Sequence, residues 1–455
     1  MDAATMTVGA ALGATLLLVS RWQCRLERER SDAARRKLAE AKAKGADKAI
    51  AQFPLIDEAA CLGCGSCVAA CPERDVIGLV DGVAKIIHGA HCVGHAKCEE
   101  ACPVGAIKVG LGDVSKRADI PQLTPQYESS VPGVYVIGEL GGIALIRNAL
   151  EQGARAVEDV ARRLKEDRAP AEPGVSELLI VGSGPSGLGA AFRAKELGID
   201  VAIVSQDGLG GTIRKYPRRK LTLLQQVRIP VHGLMKEGEY EKEDLLELLD
   251  KTLARTGLEV STGEGLVSIE RVGRTLVTKT TKGERRSRYV ALALGRRGTP
   301  RRLGVPGEES DRVFYQLLDA ATYTGQKLLI VGGGDSAVEA ALGLARQPGN
   351  EVTLSYRKPD FFRLKPRNES RLKEAAAAGS LKLLVPSEVR RFERGEAVLS
   401  FDGPGGRGEL RLPVDWAFVF AGGELPFPLL EKIGVRFGGE KRPAGAKAPA
   451  AKAAA

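Results

Sequence analysis

Seven of the eight cysteines of this 455-residue chain fall in two short runs. The first reads C-L-G-C-G-S-C-V-A-A-C-P from Cys61 to Pro72, and the second reads C-V-G-H-A-K-C-E-E-A-C-P from Cys92 to Pro103. Three cysteines two residues apart bind one cubane iron–sulfur cluster, whereas a fourth cysteine before proline binds the other cluster. The spacing therefore predicts two interlocked iron–sulfur clusters.

This rule divides the candidate metal ligands into two sets. The first [4Fe-4S] cluster takes Cys61, Cys64, Cys67 and Cys102. The second takes Cys71, Cys92 and Cys98, with His95 where another cysteine is expected. Either the imidazole is a ligand, which would raise the reduction potential, or the site holds a [3Fe-4S] cluster and the histidine is a bystander. The alternative for such residues is zinc, but zinc sites favour ligands in two pairs.

Residues 56–110 resemble the two-cluster ferredoxins of bacteria over both motifs, except at His95. The resemblance implies a small α+β ferredoxin-like domain. Only Cys24 lies outside the motifs, so no disulfide framework can form, and cluster cysteines require a reducing compartment.

The chain begins with an uncharged apolar stretch, residues 3–20, followed by Trp22 and several arginines. This length is the lower limit for a membrane span, and the flanking residues suit an interface and a cytoplasmic side. A secretory signal would begin with basic residues, whereas only Asp2 precedes the stretch. We interpret residues 1–22 as a single-pass transmembrane helix in a bacterial inner membrane, with the catalytic part cytoplasmic; a short buried helix is the alternative. Residues 23–50, charged and alanine-rich, predict a helical stalk that holds the cluster domain away from the bilayer.

Two glycine-rich turns each follow a short apolar run. The first reads V-G-S-G-P-S-G and ends at Gly187, and the second reads V-G-G-G-D-S-A and ends at Ala337. A strand, such a turn and a helix together bind the pyrophosphate of a dinucleotide at the helix N-terminus. The strand after the first turn should end in an acid for the adenine ribose, yet Ser205 and Gln206 stand there. The chain therefore carries two candidate Rossmann-like sites.

The nucleotide preference of the second site is suggested by the residues that follow its next strand. Arg357 and Lys358 stand there without an acid for a free 2′-hydroxyl, and two cations suit a 2′-phosphate. This favours NADPH over NADH, although a solvated basic turn would look the same.

Both turns, together with V-P-G-V-Y-V-I-G-E at residues 131–139, resemble flavoproteins of the thioredoxin-reductase type. The resemblance implies an FAD domain and an NAD(P) domain. It also implies FAD contacts from Gly138, Glu139, Gly182, Gly184, Pro185, Ser186, Gly187, Ser205, Gly210, Gly211 and Thr212. For the nicotinamide nucleotide it implies Gly332, Gly334, Asp335, Ser336, Ala337, Arg357 and Lys358.

The order of these segments differs from the family pattern. There the Val-Pro-Gly segment follows the NAD domain, whereas here it precedes the first glycine turn, so we expect a circular permutation. A-L-G-R-R-G-T-P-R and F-A-G-G-E-L-P resemble the two strands that cross between the domains. After the anchor and stalk, the predicted divisions are a cluster domain at 51–112, a permuted FAD segment at 113–168, an FAD domain at 174–305, an NAD(P) domain at 306–420, a return to the FAD domain at 421–437 and a disordered tail at 438–455.

The cysteines that this chain lacks argue against one class of substrate. Thioredoxin reductases carry a redox dithiol in the NAD domain, whereas no cysteine follows Cys102 in this chain. Bacillithiol disulfide reductases carry a cysteine in the first glycine turn, where this chain has Ser186. A disulfide substrate is therefore disfavoured. We predict an NAD(P)H-dependent FAD and iron–sulfur oxidoreductase in which no side chain acts as an acid or base. Electrons would pass to a ferredoxin, a quinone or a membrane redox partner, or flow in reverse.

A non-catalytic redox sensor or electron-delivery subunit is the alternative in another class. The formal charge of +10 includes a basic run from Arg214 to Lys220, which indicates a solvated face or a docking surface for an acidic partner. No nucleic-acid motif accompanies it. By analogy with relatives of the flavin module, the chain could form a homodimer.

Overall fold

The computed structural model describes residues 3–49, 52–112, 117–142, 145–167, 172–224, 226–296, 299–361, 364–403 and 406–438. The chain forms two compact units that meet in sequence between Gly112 and Asp113. The tail predicted to be disordered lies outside the described residues beyond Gly438.

The first unit begins with α1 (Ala3–Ala43), one continuous helix that covers both the predicted anchor and most of the predicted stalk. The side chains of residues 3–11 lie outside the described part, and from Leu12 to Trp22 the large apolar side chains are exposed. No helix within the described residues combines the length and apolar character needed to cross a membrane. The structure therefore gives the predicted membrane anchor no support.

The structure has the helix predicted for the stalk, and it places this helix in contact with the cluster domain, which the sequence did not indicate. Ser31 Oγ accepts a hydrogen bond from the backbone N–H of Asp81 at 3.0 Å, and Arg35 forms an ion pair with the Asp81 carboxylate. Ala41 is fully buried. Because small side chains, Ala34 and Ala41, lie on the face of α1 toward the domain, the helix can pack closely on it.

The cluster domain consists of two short antiparallel pairs with two short helices. The outer pair is β1 (Phe53–Ile56) with β4 (Ile107–Gly110), and the hairpin pair is β2 (Ile77–Val80) with β3 (Val83–Ile86). The helices are α2 (Ser66–Ala70) and α3 (Lys97–Glu100), and a 3₁₀ turn covers Gly89–His91. The core of this small domain includes the buried Cys67 and Cys98 among apolar side chains, whereas Cys64 is exposed.

The second unit contains two sheets of the Rossmann type, which agrees with the predicted α/β class. The first has the order β12-β7-β6-β15-β14-β13, with β5 also paired to β15. The strands of this sheet are β5 (Val134–Val136), β6 (Ser176–Val181), β7 (Val201–Ser205), β12 (Val260–Thr262), β13 (Leu266–Val272), β14 (Thr275–Thr280) and β15 (Gly283–Leu292). Its helices are α4 (Ile146–Glu166), α5 (Pro185–Glu196) and α6 (Lys242–Thr256).

The second sheet is parallel, with the order β17-β24-β18-β19-β20. The strands are β17 (Val313–Phe314), β18 (Lys327–Val331), β19 (Glu351–Ser355), β20 (Lys382–Leu384) and β24 (Trp416–Val419). Helices α7 (Asp335–Ala345) and α8 (Pro366–Ala377) flank it. An antiparallel sheet of β21 (Ser387–Glu393), β22 (Glu396–Gly403) and β23 (Gly406–Pro413) packs beside it.

Short strands complete the unit. The two segments expected to cross between domains pair with each other, as β16 (Thr299–Pro300) and β25 (Gly423–Glu424). The other pairs are β8 (Leu221–Leu224) with β11 (Gly238–Glu241), and β9 (Val227–Ile229) with β10 (Gly233–Met235).

The segment expected to be permuted enters the first sheet. β5 lies parallel to the last residues of β15, and α4 packs on α5. Tyr135 is fully buried, and its hydroxyl donates to Asp159 Oδ2 of α4 at 2.6 Å. On the other face, the core around β5 includes residues of α9 (Phe427–Ile433) near the end of the described chain. Elements from before and after the glycine turns therefore share one core.

Candidate redox centre and dinucleotide sites

The seven cysteines of the two motifs line two cavities, and the two ligand sets predicted from spacing are the sets that line them. One cavity is lined by Cys61, Cys64, Cys67 and Cys102. The other is lined by Cys71, Cys92, Cys98 and His95. Each motif therefore contributes its Cys-Pro cysteine to the cavity of the other motif, as interlocked clusters require.

His95 lies in the loop that closes the second cavity. Its neighbours Gly94 and Ala96 both adopt positive φ, +77° and +62°, and the buried Gln52 amide donates to the Gly94 carbonyl at 2.7 Å. This tight loop presents the histidine at the cavity wall with the cysteines. The candidate ligands at the second cavity are thus Cys71, Cys92, Cys98 and His95.

The thiols are crowded and partly buried, which fits a metal cluster. Burial raises the pKa of the Cys98 thiol to about 11, and the neighbouring Cys71 and Cys92 act in the same direction. Burial also raises the pKa of Cys67, Cys71 and Cys92. Thiolates gathered this closely repel one another, whereas iron stabilises them as ligands. The residues therefore fit two iron–sulfur clusters.

The first glycine turn forms an open cradle at the N-terminus of α5. A Cβ on Gly187 would meet the Gly182 carbonyl oxygen, so these glycines let the helix approach the strand closely. A Cβ on Gly184 would meet no atom within 4 Å. Pro185 is the first residue of the helix, and Gly184 is its N-cap. The open side of the turn therefore leaves backbone donors available to a pyrophosphate.

Two other predicted FAD segments converge on this cradle. A Cβ built on Gly138 would lie 2.5 Å from Ser186 Oγ, and the Gly138 N–H donates to Gln152 Oε1 at 2.8 Å. A Cβ on Gly211 would lie 2.9 Å from Gly184 Cα. Glu139 is half-buried in a 3₁₀ turn beside Gly138, and Thr212 follows directly after Gly211. Gln152 is the residue that motif analysis missed, since a glutamine inside a helix carries no motif signal.

Ser205 was expected near the adenine ribose of FAD, yet it does not present a free hydroxyl to this cradle. It is 3 % exposed, and its hydroxyl oxygen accepts a hydrogen bond from Ser183 at 2.9 Å. The side chain is therefore engaged within the protein.

The second glycine turn repeats the arrangement at α7. A Cβ on Gly332 would approach the Phe420 carbonyl oxygen and Ala337, whereas one on Gly334 would meet no atom within 4 Å. Ser336 is exposed beside it. Arg357 is exposed and Lys358 half-buried, two and three residues after the end of β19. The two cations and the open helix N-terminus thus follow the carboxyl ends of adjacent parallel strands.

Asp335 makes hydrogen bonds within the protein that the sequence did not predict. Its Oδ1 accepts hydrogen bonds from the Lys365 N–H at 3.1 Å and from Asn368 Nδ2 at 2.7 Å. The carboxylate therefore ties α7 to the start of α8 and positions the open turn through the protein.

The charges of the basic run are paired within the unit. Ion pairs join Lys215 to Asp207, Arg218 to Asp319, Arg219 to Glu241 and Lys220 to Glu339, at 2.7, 3.4, 3.2 and 2.6 Å. Arg214 Nε donates to the Leu209 carbonyl at 2.6 Å. The side chains of Arg218 and Arg219 are nevertheless 67 % and 73 % exposed, so the run is a solvated face whose charges pair with carboxylates of neighbouring elements.

Two nucleotide cradles in a Rossmann-type unit, joined in one chain to a domain with two thiol-lined cavities, define an iron–sulfur flavoprotein of the dinucleotide-binding class. Residues 179–444, more than half of the chain, match the family model described as pyridine nucleotide-disulphide oxidoreductase, and residues 53–103 match the model described as 4Fe-4S dicluster domain. The chain belongs to the pyridine nucleotide-disulphide oxidoreductase family. It is an NAD(P)H-dependent oxidoreductase that combines this module with a 4Fe-4S domain.

Several relatives support this placement. A ferredoxin–NADP reductase of Thermus thermophilus is 33 % identical over 255 residues, which are 54 % of this chain and 73 % of that protein. A ferredoxin–NADP reductase of Ignicoccus hospitalis is 28 % identical over 58 % of this chain and 83 % of its own length. Among solved structures, the bacillithiol disulfide reductase Bdr of Staphylococcus aureus has a TM-score of 0.50 at 23 % identity, covering 57 % of this chain and 80 % of that one, and supports the fold alone.

Proposed function

We propose that this enzyme exchanges electrons between NADPH and its own iron–sulfur domain by way of FAD, and through that domain with a ferredoxin-like carrier. The observation that carries the proposal is the presence, in one chain, of two nucleotide cradles and two cavities lined by the interlocked cysteine sets. The relatives named ferredoxin–NADP reductase make a ferredoxin the favoured carrier.

Within this proposal the chain's residues bind and position the cofactors. Gly182, Gly184 and Gly187 with the Gly138 segment would hold FAD, and the Gly334 turn would hold the nucleotide. FAD, when bound, would accept the two electrons of one hydride and release them one at a time, which the protein side chains cannot do. Arg357 and Lys358 account for NADPH over NADH.

A disulfide substrate is disfavoured, since the chain has no cysteine after Cys102 and Ser186 lies buried in the first glycine turn. A circular permutation would explain why the Val-Pro-Gly segment precedes the turn while β5 lies in the FAD sheet. Membrane anchoring, a quinone acceptor, inner-membrane location and a homodimer stay sequence predictions on which the proposal does not depend.

The test compares the chain with a variant that loses the first cluster, Cys67→Ala. We expect NADPH to bleach the flavin of both proteins, whereas sustained reduction of a one-electron acceptor such as cytochrome c falls at least about tenfold in the variant. Cys24→Ala, outside both motifs, is the matched control and should behave as the parent does. Equal turnover in the variant and the parent would contradict electron exit through the clusters. Flavin bleaching without turnover in the parent would instead favour a redox sensor.

A further inference from the structure

A second group of metal-ligating side chains lies in the first unit outside the cysteine sets. It consists of Asp75, His88 and His91, whose ligand atoms all lie within 4.8 Å of one another. Among the described residues, none of the three lines either thiol cavity. The cluster motifs therefore do not account for this group.

The geometry places two imidazole nitrogens at one carboxylate oxygen. His91 Nδ1 lies 2.8 Å from Asp75 Oδ2, and His88 Nδ1 lies 3.5 Å from the same atom. The two rings stack with centroids 5.1 Å apart and planes inclined by 14°. The shorter distance is that of a hydrogen bond, which a tetrahedral zinc ion with bonds of 2.0–2.1 Å would replace by widening the separation of the two ligand atoms to roughly 3.3 Å.

An independent observation comes from the other oxygen of the same carboxylate. Asp75 Oδ1 is buried and has no hydrogen-bond partner among the described residues. A buried carboxylate oxygen without a partner costs free energy, and a cation held by both oxygens of the Asp75 carboxylate would remove that cost. The surroundings are also enclosed, since the His91 side chain is 8 % exposed and the Asp75 side chain 16 %.

We propose that Asp75, His88 and His91 bind a structural zinc ion beside the second cluster, leaving one position for water. Two imidazoles and a carboxylate are ligands that zinc accepts. The ion would close the hairpin of β2 and β3 at its open end. Asp75 follows Cys71 by four residues and His91 directly precedes Cys92, so the ion would hold together two cysteines of one cluster set.

The test is the metal content of the purified, cluster-loaded chain after exposure to zinc chloride and removal of loose metal. We expect one zinc per chain beside the cluster iron, and a loss of at least about tenfold in zinc for His88→Ala and Asp75→Asn. The matched control is the His232→Ala variant, altered in the second unit, which should bind as much zinc as the parent. No bound zinc in the parent, or unchanged zinc in both variants, would overturn the proposal.

A zinc K-edge absorption spectrum of the parent keeps the proposal testable if the variants fail to assemble their clusters. A shell of nitrogen and oxygen at about 2.0–2.1 Å is the expected result. A shell that contains sulfur at about 2.3 Å would mean zinc in a cysteine site and would overturn the assignment.

Discussion

At the scale of single residues, His95 is the departure that matters most for the electron path, because it lies with three cysteines at the second cavity. If its imidazole is a ligand, His95→Cys should lower the potential of that cluster by on the order of 100 mV, since histidine ligation raises potentials. His95→Ala should give the EPR signal of a three-iron cluster. His232→Ala serves as the control. Spectra and potentials unchanged in both His95 variants would make the residue a bystander.

Arg357 carries the nucleotide preference at the same scale. It is exposed two residues after the end of β19, where a 2′-phosphate is expected. A hydrogen bond between charged groups contributes about 1.5–3 kcal/mol, so Arg357→Ala should raise the KM for NADPH at least about tenfold and leave that for NADH nearly unchanged. The matched control is Arg346→Ala at the other end of α7. An equal rise in the KM for NADPH and for NADH would show that Arg357 is not the cation that binds the 2′-phosphate.

Residue types in a fixed spacing could be assigned from sequence, whereas their partners could not. The interlocked cysteine sets follow from spacing alone, and they line the two cavities as expected. Ser205 and Asp335 were expected at the ligands, yet their side chains bind Ser183 and Asn368. These hydrogen bonds join positions far apart in the chain, so no local pattern encodes them.

At the scale of elements, α5 and α7 begin in the same way, with a glycine turn whose middle glycine has open space around it. Gly334 has an extended φ of −104° and free space around its missing Cβ, so a larger side chain fits the fold and fills the ligand's place. Gly334→Val should therefore fold normally and abolish flavin reduction by NADPH while FAD stays bound. The control is Gly408→Val, which also meets open space. Normal flavin reduction by NADPH in the Gly334→Val variant would show that the hydride donor does not bind at this turn.

The helix α1 illustrates a limit of reading elements from sequence. Its charged, alanine-rich part predicts a helix correctly, but helical propensity does not reveal what the helix contacts. The pairing of Ser31 and Arg35 with Asp81 depends on a hairpin some fifty residues later. The same holds for the basic run, whose carboxylate partners come from distant elements.

At the scale of the whole molecule, the early segment and the glycine turns form one domain. We expect residues 113–438 alone to retain FAD and to be reduced by NADPH. Residues 172–438 should not retain FAD, because β5 would be missing from the sheet and Tyr135 from the contact with α4. The measurement is the FAD content of each fragment after gel filtration. Equal FAD content in both fragments would show that the early segment is dispensable.

The central claim is that nucleotide, flavin and clusters form one electron path. The most direct test is an anaerobic titration of the purified chain with NADPH, followed by flavin absorbance and low-temperature EPR. We predict that the flavin bleaches and that cluster signals then appear, with NADH less effective. A flavin that stays oxidised with both nucleotides would contradict the account and would favour electron entry through the clusters.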